Sequence, residues 1–188
     1  MVSDDAKAVE VEVREWIERV VVGLGLCPFA KPVLDAGQLE VHVTLSEDVE
    51  EGMSAVLEAV RVLVESDDEA EGYLTQMVVT PNLFADFEEY LEILEELEDV
   101  LAELGADHLV QIASFHPLYQ FEDVPSSDRA NFTNRSPYPI FHLLRQEDVE
   151  EALDGWREPM QIPERNIALL RQMDADQWEA VFGEPGKE

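Results

Sequence analysis

Between Leu39 and Phe115 the hydrophobic period switches back and forth between two values, and this alternation leaves few folds open to the chain. Leu39, Val41, Val43 and Leu45 alternate with Glu40, His42 and Thr44, the period-two pattern of a half-buried strand. Val49, Met53, Val56, Leu57, Val60 and Val64 then recur at helical spacing, with Ser46 as the expected N-cap and Glu47 and Asp48 in an acid-favouring first turn. Leu74 to Val79 is apolar enough to lie inside a sheet. Thr80, Pro81 and Asn82 make a turn and cap, and a stripe from Phe84 to Leu104 marks a long helix that Gly105 ends. Leu109 to Phe115 reads as a further strand. The expectation is an α/β fold in a single compact domain. Its parallel βαβαβ core sheet has right-handed crossovers and joins segments 39–45, 74–79 and 108–115.

The flanks add helices. Val9, Val13, Trp16, Ile17, Val20 and Leu24 stripe a helix over about 5–22, ended by Gly23 and Gly25. Ile140 to Leu144 is a candidate fourth strand. Short helices are expected near Glu147–Leu153, Pro163–Met173 and Asp174–Phe182, the last with Asp174 and Gln177 at capping-box spacing. Ser66 to Glu71 reads as an acidic loop, and Glu184 to Glu188 as a frayed end.

A length of 188 residues with 46% hydrophobic side chains suits one domain with a real core. The formal charge is −31, from 43 acids against 12 basic residues, and Lys7, Lys31 and Lys187 are the only lysines. Self-repulsion on that scale destabilises a compact state. Molar salt shortens the Debye length to about 3 Å and removes most of the cost, so the composition points to a salt-loaded, halophilic cytoplasm. Nucleic acid and anionic membrane are not expected partners, because both require clustered Lys and Arg. No apolar run is long enough to cross a bilayer. The start, MVSDDAKAVE, lacks signal-peptide design, which makes a cytoplasmic location the default. The lone Cys27 excludes an internal disulfide and a multi-cysteine zinc site.

The segment Ile112–Arg145, IASFHPLYQFEDVPSSDRANFTNRSPYPIFHLLR, carries the candidate chemistry. Long parts of it are free of acids, and it combines loop-forming residues with large aromatics. His116 follows a strand directly, where open α/β sheets bind ligands. It is either a general acid or base or a histidine that bonds a loop carbonyl. Asn131, Thr133, Asn134, Arg135 and Ser136 either fix the loop through local turns or present donors to an anion, with Arg135 giving a bidentate fork. In the second case Tyr119, Gln120, Arg145 and Arg165 are further candidate substrate contacts. Arg165 stands beside Glu164, where an ion pair is the simpler reading, and Arg135 has Asp128 and Glu164 as alternative partners. Cys27, before Pro28, is a candidate nucleophile or a buried apolar thiol. His42 is expected in solvent, and His142 in the core by its parity with Ile140 and Leu144. A metal site from Cys27, His116 and His142 is chemically conceivable, but no short ligand spacing supports it, and no metal or cofactor is assigned.

Four blocks, GLGLCPFAKP, ASFHPLYQF, NFTNRSPYPIFHLLR and IPERNI, occur in this order. They resemble the domain-of-unknown-function 1415 family of bacterial proteins, over about Trp16 to Leu170. The resemblance implies one compact cytoplasmic α/β domain and implies no activity. Its motif residues fall on Cys27, Pro28, His116, Pro117, Tyr119, Gln120, Asn131, Asn134, Arg135, Ser136, Pro137, His142, Arg145, Glu164, Arg165 and Asn166.

Two functions fit these residues. One is an enzyme acting on a small anionic substrate, with His116 as acid or base, Arg135 holding the anion and Cys27 as nucleophile or bystander. The other is a non-catalytic module that binds a metabolite or a protein partner through the same loop. A concave pocket joining His116, Arg135 and Cys27 favours the first, and a packed loop favours the second.

Overall fold

A computed structural model describes residues 3–65, 75–154 and 161–183. The expected acidic loop at 66–71 and the frayed end at 184–188 lie outside these residues. Helix α1 (Asp4–Trp16) runs into a π-helical turn (Ile17–Val22). Then come α2 (Ala30–Asp35), β1 (Leu39–Val43), α3 (Val49–Glu65), β2 (Thr75–Val79), α4 (Phe87–Glu103) and β3 (Val110–Phe115). A 3₁₀ turn (Arg129–Thr133) leads to β4 (Ile140–Arg145), α5 (Gln146–Asp154), α6 (Ile162–Gln172) and α7 (Ala175–Phe182).

The four strands form one mixed sheet in the order β1-β2-β4-β3. β1 and β2 are parallel, with Leu39 opposite Thr75. β4 is antiparallel to both β2 and β3, so β1, β2 and β3 all point the same way. The three anticipated strands therefore share one sheet and one direction, with β4 inserted between the second and third. The sequence of β4 explains its central place. Ile140, Phe141 and Leu143 are fully buried, which requires cover on both faces. β3, mostly half-buried, takes the edge.

Helices cover both faces. On one, Val56, Val60 and Leu63 of α3 and Tyr90, Leu97 and Leu101 of α4 pack on Val78, Phe141 and Leu143. On the other, Val13, Trp16, Ile17 and Val20 pack on Leu39, Val41, Met77, Val79 and Ile140. Full burial of each large apolar side chain contributes about 1.5–3 kcal/mol. A smaller cluster of Leu170, Met173 and Trp178 docks α6 and α7 against Phe132 of the 3₁₀ turn.

Two helix starts move from their expected positions. The cap of α3 is Asp48, whose Oδ1 accepts from the Glu51 amide, while Ser46 Oγ accepts from the Asp48 amide one step earlier. Helix α4 starts after Asp86, whose carboxylate accepts from the amides of Glu88 and Glu89. Phe84, the first residue of the apolar stripe, is in the core but not in the helix, because its φ of 57° is left-handed. Gly52 of α3 allows this loop to approach: a Cβ there would stand 2.6 Å from Leu83 Cδ1. The anticipated capping box of Asp174 and Gln177 is present at α7. No described helix is long and apolar enough to cross a membrane.

Candidate functional site

The C-terminal ends of β1, β2 and β3 lie at one end of the sheet, the end at which open α/β sheets carry ligands. Polar side chains tie the loops together there. The Thr80 amide and hydroxyl donate to the Pro139 carbonyl at 3.1 and 3.3 Å, and Asn82 Nδ2 donates to the Leu45 carbonyl at 2.8 Å. Asn134 pairs with the outer edge of β3. Its carbonyl accepts from the His116 amide at 3.2 Å, and its Nδ2 donates to the Ser114 carbonyl at 3.3 Å.

His116 is fully buried. The Leu118 amide donates to Nδ1 at 3.0 Å, which makes Nδ1 the acceptor and puts the proton on Nε2. Nε2–H then donates to the Phe84 carbonyl at 2.8 Å. Both ring nitrogens are thus occupied by backbone groups of two different loops. Phe87 and Tyr90 pack on the ring at 5.1 Å each. Burial lowers the imidazole pKa, partly opposed by the Phe84 bond and by Asp86. The ring is therefore neutral near pH 7, and neither nitrogen can reach a ligand without breaking a backbone bond.

The amides and the hydroxyl of the loop are committed in the same way. Asn131 is fully buried, accepts from the Phe121 amide at 3.1 Å and donates to the Pro125 carbonyl at 2.9 Å. Ser136 Oγ donates to the Tyr138 carbonyl. Exposed Gln120 donates to the Val124 carbonyl at 2.7 Å. The Tyr119 ring stands against Phe87 and Phe121, and burial raises its pKa against a hydrogen bond with Ser114 that lowers it.

Arg135 differs. Its Nε donates to the Tyr119 carbonyl at 3.1 Å and one terminal nitrogen to the Ser126 carbonyl at 2.9 Å. The guanidinium lies over Phe132, 4.6 Å from the ring centroid. Partial burial lowers its pKa, but a guanidinium remains charged. Among the described residues no carboxylate pairs with it. Asp128, one of its two alternative partners, is held instead by Arg171 through two bonds of 2.9 and 3.0 Å. Two of five N–H donors are used, so the fork is aimed by neutral groups and retains donors for another acceptor.

Arg165 does not pair with Glu164. It donates to the Gly25 carbonyl and to Asn166 Oδ1, while Asn166 Nδ2 donates to the Leu26 carbonyl at 2.7 Å. IPERNI thus holds GLGLC in place and leaves the half-buried Cys27 beside these bonds. Arg145 donates to the Leu63 carbonyl at 3.1 Å and faces Asp148 at the far end of β4. His142 Nε2 meets Thr75 Oγ1 at 2.7 Å on the α1 side of the sheet, and burial lowers its pKa to about 4. Exposed His42 stands in solvent as expected.

His116, Tyr119, Asn131, Asn134, Arg135 and Ser136 thus belong to one loop assembly. Arg145 stands apart from it, and Arg165 bonds not to these residues but to the Gly25 carbonyl and Asn166, near Cys27. One hollow of about 510 Å³ lies on the outer face of α6 and another of about 230 Å³ between α4 and β3. Neither includes His116, Arg135 or Cys27. Three contributors escaped the sequence reading. Phe132 supports Arg135, Trp16 Nε1 donates to the Arg135 carbonyl at 3.1 Å, and Phe84 receives His116. Phe132, three residues before Arg135 in NFTNRSP, was the one that proximity offered.

No curated protein and no solved structure matches the chain. The model of the family described as protein of unknown function DUF1415 matches residues 8–180, a span that contains every residue of the loop assembly. The chain belongs to the DUF1415 family.

Proposed function

We propose that the chain is a recognition module that grips the carboxylate or phosphate of a small anionic molecule with Arg135, without acid–base chemistry by His116. The observation that carries this reading is the Arg135 guanidinium itself. It is positioned by two backbone carbonyls and an aromatic ring, and no described acid pairs with it in a chain of 43 acids. Each hydrogen bond to a charged group contributes about 1.5–3 kcal/mol. A net charge of −31 repels anions at long range, so contact donors must do the holding. The closed bonding of His116 supports a binding role over a catalytic one, since a general base needs a nitrogen within reach of substrate.

The acidic surface is proposed to be an adaptation to a salt-loaded cytoplasm. The exposed face of α4 alone presents Glu88, Glu89, Glu92, Glu95, Glu96, Asp99 and Glu103, while the loop assembly is free of such density. Screening at molar salt leaves short, partly buried contacts such as those of Arg135 largely intact.

Titration calorimetry with inorganic phosphate and with succinate, in KCl, tests the proposal. Saturable binding of at least one anion is expected, weakened at least tenfold in Arg135→Lys, because an ammonium cannot reproduce the fork. Equal binding by the wild type and Arg135→Lys would overturn it.

A further inference from the structure

We infer that the outer edge of β3 is a docking strand for an extended, basic and apolar peptide segment, which adds to the sheet as a fifth strand. The register fixes which backbone groups face outward. Gln146 N–H donates to the Leu109 carbonyl, so residues 111, 113 and 115 bond inward to β4, and 110, 112 and 114 face out. Three other bonds agree with this parity. The Val110 amide donates outward to the Ala106 carbonyl, the Ser114 carbonyl accepts from Asn134, and the His116 amide donates to the Asn134 carbonyl. Both ends of the edge are therefore occupied by the chain's own loops. Between them the Val110 carbonyl, both backbone groups of Ile112 and the Ser114 amide have no described partner.

Proteins normally protect such an edge with charge, proline or a bulge. β3 reads VQIASF, with no charged side chain in a chain of 29% charged residues. Beside it, the seam between α4 and β3 forms a groove of about 230 Å³ lined by Leu101, Val110 and Ile112, with Glu98 and Asp107 at its rim. That volume suits one large side chain more than a metabolite, since small-molecule sites run roughly 300–1,000 Å³. Glu98 and Asp107 are exposed, and neither meets a Lys or Arg among the described residues. Backbone pairing supplies affinity in this mode, and alternate side chains supply specificity. Here the alternate positions ask for an apolar side chain in the groove and a basic one at its rim. A second copy of this chain is a poor occupant, because it brings another charge of −31.

The test uses a short extended peptide with valine and lysine in turn at every second position and threonine between them, so that both side chains face α4, followed by amide NMR and hydrogen exchange at the lowest salt that keeps the chain folded. The expected result is slowed exchange and shifted resonances centred on Ile112 and Ser114. Affinity should fall about tenfold or more for the same peptide N-methylated on alternate amides, and by a similar factor in Glu98→Gln/Asp107→Asn, whose exposed substitutions leave the fold intact. Three results would overturn the inference: unchanged exchange at Ile112 and Ser114, equal binding of the N-methylated peptide, or protection of the same amides by self-association without peptide.

Discussion

The Nε2–H of His116 donates to the carbonyl of Phe84 over 2.8 Å, and Phe84 itself holds a left-handed backbone with φ of 57°. Left-handed conformations are uncommon for bulky residues and persist where surrounding contacts determine them. The Phe84 ring is buried edge-on against Phe141, which fixes the residue from its other end. The bond thus joins the β2–α4 loop to the loop that follows β3.

This relationship predicts the phenotype of a histidine variant. His116→Ala strands the buried Phe84 carbonyl, at a cost of about 1–3 kcal/mol, frees the amide of exposed Leu118, and opens a cavity that adds to the loss. Denaturant melts should show a loss of about 3 kcal/mol or more, with a lower midpoint. A variant that keeps wild-type stability would mark His116 as a group held in readiness for chemistry instead.

His142 gives a pH dependence of known sign. Burial lowers its pKa to about 4, against an ordinary value of 6.5. The unfolded chain therefore binds the proton first, so this contribution is fully present above pH 6.5 and is lost as pH falls toward 4. The loss is on the order of 2–3 kcal/mol. Melts between these limits in molar KCl should show the wild type losing more stability than His142→Leu. Equal slopes for the two proteins would remove His142 from the account.

The charge predicts a response to salt. The thermal midpoint should rise strongly from low to molar KCl, because screening relieves repulsion among exposed acids such as those along α4. A midpoint that stays flat across this range would contradict salt adaptation.

Much of the fold was legible because local periodicity and global packing agree from Leu39 to Phe115. The place of β4 was not legible. Its apolar run identifies a buried strand, but strand order depends on long-range pairing, and β4 enters between β2 and β3 from 25 residues beyond β3 in sequence. Helix starts shifted where a side chain one or two residues away competed for the cap, as Asp48 did with Ser46. The loop assembly was legible as a place, through its Asn, Arg and His content, but less so as a set of roles. Residue type does not tell whether a donor faces a ligand or a carbonyl. Asn131, Asn134 and His116 turn to the backbone, and Arg135 alone among them combines a full charge with donors to spare. Arg165 shows the same limit, since neighbouring Glu164 suggested an ion pair and the fold supplied the Gly25 carbonyl.

The most direct test of the central claim observes the Arg135 side chain during an anion titration. Arginine Nε–H resonances, assigned through Arg135→Lys, should be recorded while inorganic phosphate is added in KCl. A saturable shift of the Arg135 signal is expected, with Arg61 and Arg171, already paired to Glu58 and Asp128, moving little. Shifts of equal size at all three arginines, or none at Arg135 with phosphate or succinate, would contradict the central claim.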